Sequence, residues 1–239
     1  HRARTRLVSL ENTCNRGGGS CYDLAEIAKI RTLCDAHGLG LHLDGARLMN
    51  AIVAKKEDPQ AYGKLFHSIS LCLSKGLGAP VGSVLIGNAA FIKQARRVRK
   101  VMGGGMRQAG FLAAAGMYAM QHNINRLEED HAHAQQLAEA LGKCDWVGEI
   151  MPVETNIVIF EVAHSTDLKG RFSLDSAVSS VSSISSVSSA TTAAQSVVAG
   201  LKNQGIMVSA MSDKHIRMVT HLDVTPEMIQ YTTEVLQRI

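Results

Sequence analysis

The chain has 239 residues, 46% hydrophobic and 19% charged, which is typical of a globular protein long enough to bury a sizeable core. Its 25 basic and 21 acidic residues are spread along the sequence, so the net charge of +4 comes without the basic stripe that nucleic-acid binding needs, and we exclude that class. Five irregularly spaced cysteines without a metal-binding pattern indicate a reducing, cytoplasmic compartment, and no apolar run approaches the ~20 residues of a membrane helix.

A strand, a helix and a second strand are predicted at the start of the chain. The apolar run 6–11 precedes a glycine-rich loop, and Asp23 caps a helix that ends at Gly38. A buried strand begins at Gly40 and stops just before Asp44. This succession is typical of a right-handed crossover in a mostly parallel sheet, where ligands bind beyond the carboxyl ends of the strands.

Two further strands are predicted at 68–73 and 81–86, on either side of a turn-rich loop that carries Lys75. Three helical pieces follow over 88–142, with breaks at 103–105 and near 122. This pattern predicts an α/β domain over residues 1–122, with Lys75 at the end of a strand.

The remaining residues, 123–239, predict a small α+β domain. It contains strands at 146–151, 156–162, 206–210 and 216–220, a helix that ends near Gly205, and a last helix from Pro226. The serine-rich stretch 172–196 is interpreted as an insertion without chemistry, because serine at this density disfavours a packed core.

Two side chains at predicted strand ends are candidates for cofactor chemistry. The Lys75 amine can form a Schiff base with a carbonyl group, or it is a solvated loop lysine. The Asp44 carboxylate can hold a protonated pyridine nitrogen, or it caps a helix that starts at Gly45. Both residues would face the same crevice of the sheet.

Two arginines are candidates for binding a carboxylate. Arg47 follows Asp44 at the start of a loop or helix, where a guanidinium can grip a carboxylate with two hydrogen bonds or form a surface ion pair. Arg217 lies in a strand whose neighbours Ile216 and Met218 face the other side, so its partner is a substrate or a structural Asp or Glu. Hydrolase readings lose support, because the G-x-S-x-G and H-E-x-x-H motifs are absent.

Five strings in order resemble the low-specificity threonine aldolases, in the beta-eliminating lyase branch of fold-type I pyridoxal-phosphate (PLP) enzymes. They are RTRLVSLENT at 4–13, HLDGAR at 42–47, CLSKGLG at 72–78, GGGMRQ at 103–108 and RMVTHLD at 217–223. The resemblance implies a mostly parallel large domain, incomplete here because the N-terminal segment of the family is missing, followed by a small C-terminal domain.

By the same resemblance, Lys75 is the Schiff-base lysine, Asp44 is the partner of the pyridine nitrogen, and Arg47 and Arg217 hold the substrate carboxylate. His1 corresponds to a histidine near the substrate hydroxyl. Lys100 and Arg107 flank a loop near the active site of a neighbouring subunit. A homodimer or homotetramer is therefore expected.

The activity implied by the resemblance is PLP-dependent cleavage of L-threonine or L-allo-threonine to glycine and acetaldehyde, a step of threonine catabolism and glycine biosynthesis. Two alternatives stay open. The first is another fold-type I lyase or transferase, such as a serine hydroxymethyltransferase. The second is a non-catalytic remnant, because the family's phosphate-binding loops and the histidine that stacks on the cofactor ring have no counterpart in these residues.

Overall fold

The computed structural model describes residues 3–163 and 192–239, so His1 and residues 172–191 of the predicted insertion lie outside the described residues. The chain forms two compact units. The first comprises His1–His131, Glu154–Asn156 and His221–Asp223, and the second comprises Ala132–Val153, Ile157–Thr220 and Val224–Ile239. The domain boundary after residue 122 stays a prediction.

A four-stranded sheet organises the first unit. In spatial order it contains β1 (Leu7–Glu11), β2 (Gly40–Gly45), β3 (Ser68–Cys72) and β4 (Ser83–Gly87). The first three strands are parallel, as predicted, and β4 runs antiparallel to β3. The connection at residues 73–82 contains no helix, so it cannot form the crossover that a parallel neighbour requires, and the chain turns back on itself.

The helices of this half of the chain are α1 (Leu24–Ala36), α2 (Leu48–Lys55), α3 (Pro59–Leu65), α4 (Ala89–Val101), α5 (Gly110–His122) and α6 (Leu127–Leu141). Helix α6 continues into the second unit. The Asp23 side chain accepts a hydrogen bond from the Ala25 N–H and starts α1, which confirms the predicted cap. Between β2 and β3, the sequence analysis left a helix from Gly45 open as one of two readings and predicted no helix at 59–65. The signal for α3 was present in Asp58 and Pro59, an N-cap followed by a proline in the first turn.

The two faces of this sheet differ in polarity. Leu41, Leu43, Ile69 and Leu71 are at most 5% exposed and pack into one core with residues of α1, α2 and α3. The opposite face carries polar side chains, which are Ser9, Glu11, His42, Asp44, Ser68 and Ser70. Asp44 therefore projects away from the core.

Strand β4 forms one edge of the sheet and is exposed along its whole length. Val84, Leu85 and Ile86 are 46%, 40% and 43% exposed. Among the described residues, no strand pairs with the outer edge of β4.

The second unit is α+β, with the antiparallel strands β5 (Val147–Ile150), β6 (Ile157–Val162), β7 (Ser209–Ala210) and β8 (His215–Val219) in the order β5-β6-β8-β7. Among residues 192–239, the helices are α7 (Ala193–Asn203) and α8 (Pro226–Arg238). The strand predicted from Ile206 is shorter than expected. The Ile206 N–H instead donates to the Leu201 carbonyl at 2.9 Å, so this residue completes the end of α7.

Trp146 is the largest buried side chain in the core of the second unit. It is 1% exposed, meets the Phe160 ring edge-on at 5.9 Å between centroids, and donates from Nε1 to the Leu236 carbonyl. Trp146→Ala is therefore expected to lower the free energy of unfolding by about 3–5 kcal/mol, since it removes these contacts and leaves a cavity. Urea denaturation would measure the loss. Phe91→Ala, at a 38% exposed position, is the control, and a similar loss in both variants would contradict the prediction.

The helices of the described residues are all too short or too polar to cross a membrane.

Candidate active site

Asp44 lies near the carboxyl end of β2, where its Cα pairs with those of Glu11 on β1 and Ser70 on β3. Its side chain is exposed on the polar face of the sheet. The next residue is necessarily small, because a Cβ on Gly45 would lie 2.7 Å from the Ser70 carbonyl oxygen. Asp44 therefore lies next to the point where the backbones of β2 and β3 approach closely at Gly45.

Arg47, and not Asp44, is the N-cap residue of α2, and its side chain makes no capping hydrogen bond. The alternative reading of Asp44 as a helix cap is therefore wrong. The Arg47 N–H donates to the Asn12 carbonyl at 3.3 Å, while the Asn12 N–H donates to the Asp44 carbonyl at 3.0 Å. These bonds fix the backbone that carries Arg47 against the end of β1.

Lys75 lies in the loop that follows β3, and its side chain is exposed. The loop is tightly bonded around it. The Lys75 carbonyl accepts from the Gly78 N–H at 2.8 Å, and the Asn123 side chain donates to the Leu77 carbonyl at 2.8 Å. Gly76 and Leu77 are buried, so the lysine rises from a well-packed turn.

Asp44, Arg47 and Lys75 belong to the same edge of the sheet. Because β2 and β3 are parallel neighbours, their carboxyl ends meet there, with Asp44 paired to a residue two positions before the end of β3. This topology favours the convergence of a carboxylate, a guanidinium and an amine, which stays a prediction.

The other predicted site residues lie elsewhere. Arg217 is in β8 of the second unit, half-buried between Ile216 and Met218, which are buried on the opposite side, as the alternation predicted. Lys100 is exposed in the last turn of α4, and Arg107 is exposed in the segment between α4 and α5. Their roles stay predictions.

The end of β1 adds buried polar groups that the sequence analysis missed. Asn12 and Thr13 are 0% exposed, and within the described part of the chain Asn12 Oδ1 and Thr13 Oγ1 have no hydrogen-bond partner. The Asn12 amide reaches the hydroxyl of Tyr62, which donates to Glu57 at 2.7 Å. Burial, as the larger cause, and the hydrogen bond to Glu57, as the second, raise the pKa of Tyr62 far above its usual range. The hydroxyl therefore keeps its proton.

Four polar residues beneath the Lys75 loop also went unpredicted. Arg126 makes two hydrogen bonds to the carboxylate of Asp130, at 2.8 and 3.4 Å, and Asp130 is 0% exposed. The Asn50 amide lies 3.2 Å from Nε2 of His131. Two signals were readable, the asparagine inside the apolar helix α2, and Arg126 just before α6 with Asp130 four residues later in its first turn.

His131 predicts a specific pH dependence of stability. Burial lowers its pKa from the ordinary 6.5 to about 4, so the unfolded chain takes up a proton before the folded chain does. The free energy of unfolding should therefore fall as the pH drops from about 6.5 to about 4, and His131→Gln should remove that part of the slope. Urea midpoints at pH 7 and pH 5 would test this. The exposed His37→Gln variant should keep the wild-type slope, and an unchanged slope in His131→Gln would contradict the prediction.

Comparison with known proteins shows the family to which the chain belongs. A family model described as beta-eliminating lyase matches residues 1–165. Low-specificity L-threonine aldolase 1 of Arabidopsis thaliana is 35% identical over 235 residues, which cover 98% of this chain and 59% of the relative. The low specificity L-threonine aldolase of Escherichia coli O157:H7 is 37% identical over 229 residues, 96% of this chain and 59% of the relative. The chain thus spans about three-fifths of the length of these relatives.

The solved structure of a threonine aldolase from Leishmania major has the same fold. It superimposes with a TM-score of 0.70 at 19% identity, over 98% of this chain and 60% of that one. The α/β architecture predicted from the sequence is confirmed.

Proposed function

The chain belongs to the beta-eliminating lyase family. We propose that it acts as a PLP-dependent lyase, which cleaves L-threonine or L-allo-threonine to glycine and acetaldehyde. One observation carries the proposal. An exposed carboxylate and an exposed amine, Asp44 and Lys75, stand at the ends of adjacent parallel strands. The aldolase names of the relatives support the choice of substrate.

The residues at this edge fit the cofactor chemically. A carboxylate pairs with a protonated ring nitrogen, and a primary amine attaches to an aldehyde. The buried Asn12 Oδ1 and Thr13 Oγ1, which have no partner among residues 3–163 and 192–239, offer further polar contacts at the end of the neighbouring strand. When bound, PLP supplies an electron-withdrawing ring that stabilises the charge left by carbon–carbon bond cleavage.

The chain's own groups would hold and orient the reactants. Asp44 would keep the ring nitrogen protonated, and Lys75 would provide the covalent attachment. Arg47 would grip the carboxylate of the amino acid with two parallel hydrogen bonds, and we assign Arg217 to the same carboxylate. Their grip would fix which bond to Cα is oriented for cleavage.

The base that takes the proton of the substrate hydroxyl is proposed to be His1, a residue outside the described residues. Lys100 and Arg107 are proposed to act near the site of a neighbouring subunit, in a homodimer or homotetramer. We also propose a cytoplasmic enzyme.

The experiment is to mix the purified chain with PLP and L-threonine, then follow acetaldehyde release and an absorbance band near about 420 nm. We expect the band and threonine-dependent acetaldehyde. A band with no acetaldehyde from either threonine isomer would favour another PLP lyase or transferase. Absence of the band at saturating PLP would favour the non-catalytic remnant.

A further inference from the structure

Gly76, the residue after Lys75, rests against side chains from two distant parts of the chain. A Cβ at this position would lie 3.0 Å from Leu127 Cδ2, 3.6 Å from Asn50 Oδ1 and 3.9 Å from Asp130 Oδ2. The first distance is tighter than ordinary van der Waals contact, and the glycine is buried. The backbone beside the lysine is therefore seated directly on α2 and on the first turn of α6.

The polar groups under Gly76 are themselves held in place. We call Asn50, Arg126, Asp130 and His131 the polar cluster. Arg126 grips the Asp130 carboxylate with two hydrogen bonds, and the Asn50 amide is bonded to His131. Asn50 is 3% exposed and Asp130 is 0% exposed. The two polar side chains nearest the glycine, Asn50 and Asp130, are thus each oriented by a bond to another side chain.

Apolar side chains beside Leu127 would be the simpler way to fill the rest of this space. Burying a carboxylate and an amide is costly, and replacing such groups with well-packed apolar ones is often neutral or stabilising. Hydrogen-bonded groups differ from apolar ones in that their partners fix their direction, which favours a single arrangement of whatever packs on them. These polar groups lie directly beneath Gly76, the residue after Lys75. We therefore look to the backbone beside Lys75 for the part that needs a single arrangement.

We propose that the polar cluster consists of positioning residues, which fix the backbone at Gly76 and so hold the Lys75 amine in the orientation that covalent attachment of a cofactor aldehyde requires. The inference rests on the proposed role of Lys75. None of the four side chains is assigned a chemical step.

Hydrogen exchange of the apo chain gives the first readout. The N–H groups of Gly78 and Ala79 donate to the Lys75 and Leu73 carbonyls, so their exchange reports opening of this loop. The Ile27 N–H, bonded to the Asp23 carbonyl in α1, is the reference for general loss of stability. We expect Asn50→Leu and His131→Leu to raise loop exchange relative to Ile27 by about tenfold.

Two variants sharpen this comparison. His133→Leu is the matched control, because His133 is another histidine of α6, two residues further along, that is buried and is not bonded to Asn50. It should leave the exchange ratio as in the wild type. His131→Gln keeps a polar partner for Asn50 and should restore most of the wild-type ratio. A variant that loses global stability stays informative, since the ratio to Ile27 corrects for it.

The second readout is the rate at which PLP labels Lys75, trapped with borohydride and located by mass spectrometry. Asn50→Leu and His131→Leu should slow labelling about tenfold at fixed PLP, while His133→Leu should not. If wild-type Lys75 is labelled and both exchange and labelling are unchanged in Asn50→Leu and His131→Leu, the positioning role is overturned. If wild-type Lys75 is not labelled at all, the proposed function fails instead, and the positioning role fails with it.

Discussion

Replacing Lys75 with alanine is expected to abolish covalent attachment of PLP and to slow threonine cleavage by roughly a thousandfold or more. The effect is large because this amine would form the bond to the cofactor. Exposure of the side chain at the end of β3 leaves it open to an incoming aldehyde. The measurement is the absorbance near about 420 nm during PLP titration, together with acetaldehyde release.

Lys64→Ala is the matched control for this experiment. Lys64 is also an exposed lysine of the first unit, but it lies in α3, before the start of β3. It should retain the wild-type spectrum and rate. Identical spectra for wild type and Lys75→Ala would show that another group binds the cofactor, and the assignment of Lys75 would be lost.

Asp44→Asn should give a different pattern, in which labelling at Lys75 survives while turnover falls by about a hundred- to a thousandfold. Asparagine keeps the shape of aspartate but not the negative charge that holds a proton on the ring nitrogen. Without that charge, the electrons released by bond cleavage are less stabilised. Attachment and turnover, measured on one preparation, separate the two roles.

Asp58→Asn controls for the general effect of removing a carboxylate from the first unit. Asp58 caps α3 by accepting from the Gln60 N–H, and asparagine is an equally good N-cap residue, so both stability and turnover should persist. Equal losses of turnover in the two asparagine variants would remove Asp44 from the site.

Local sequence signals predicted much of the fold. The cap at Asp23, the glycine after α1 and the breaks between α4, α5 and α6 all depend on neighbouring residues, and each was found where expected. Helix α2 was left open as one of two readings, with its start placed at Gly45, because its short apolar run, at 48–55, has no capping side chain. The reversal of β4 depends on a connection without a helix, which the strand pattern does not reveal.

The same distinction holds for the candidate site. Asp44 and Lys75 were readable because each stands at the end of a predicted strand, and parallel strands end on one edge. The contact between Asn50 and His131 was not, because the two residues are separated by 81 positions and no local pattern pairs them. Contacts between residues so far apart in the sequence become visible only in the three-dimensional structure.

The open edge of β4 has a practical consequence for all of these measurements. An exposed apolar edge strand presents unpaired backbone groups to other chains and is a recognised origin of aggregation. Val84, Leu85 and Ile86 on this strand are 40–46% exposed. Spectra and exchange data should therefore be collected at low protein concentration, with light scattering recorded alongside, because turbidity would raise the apparent absorbance in the region of the cofactor band.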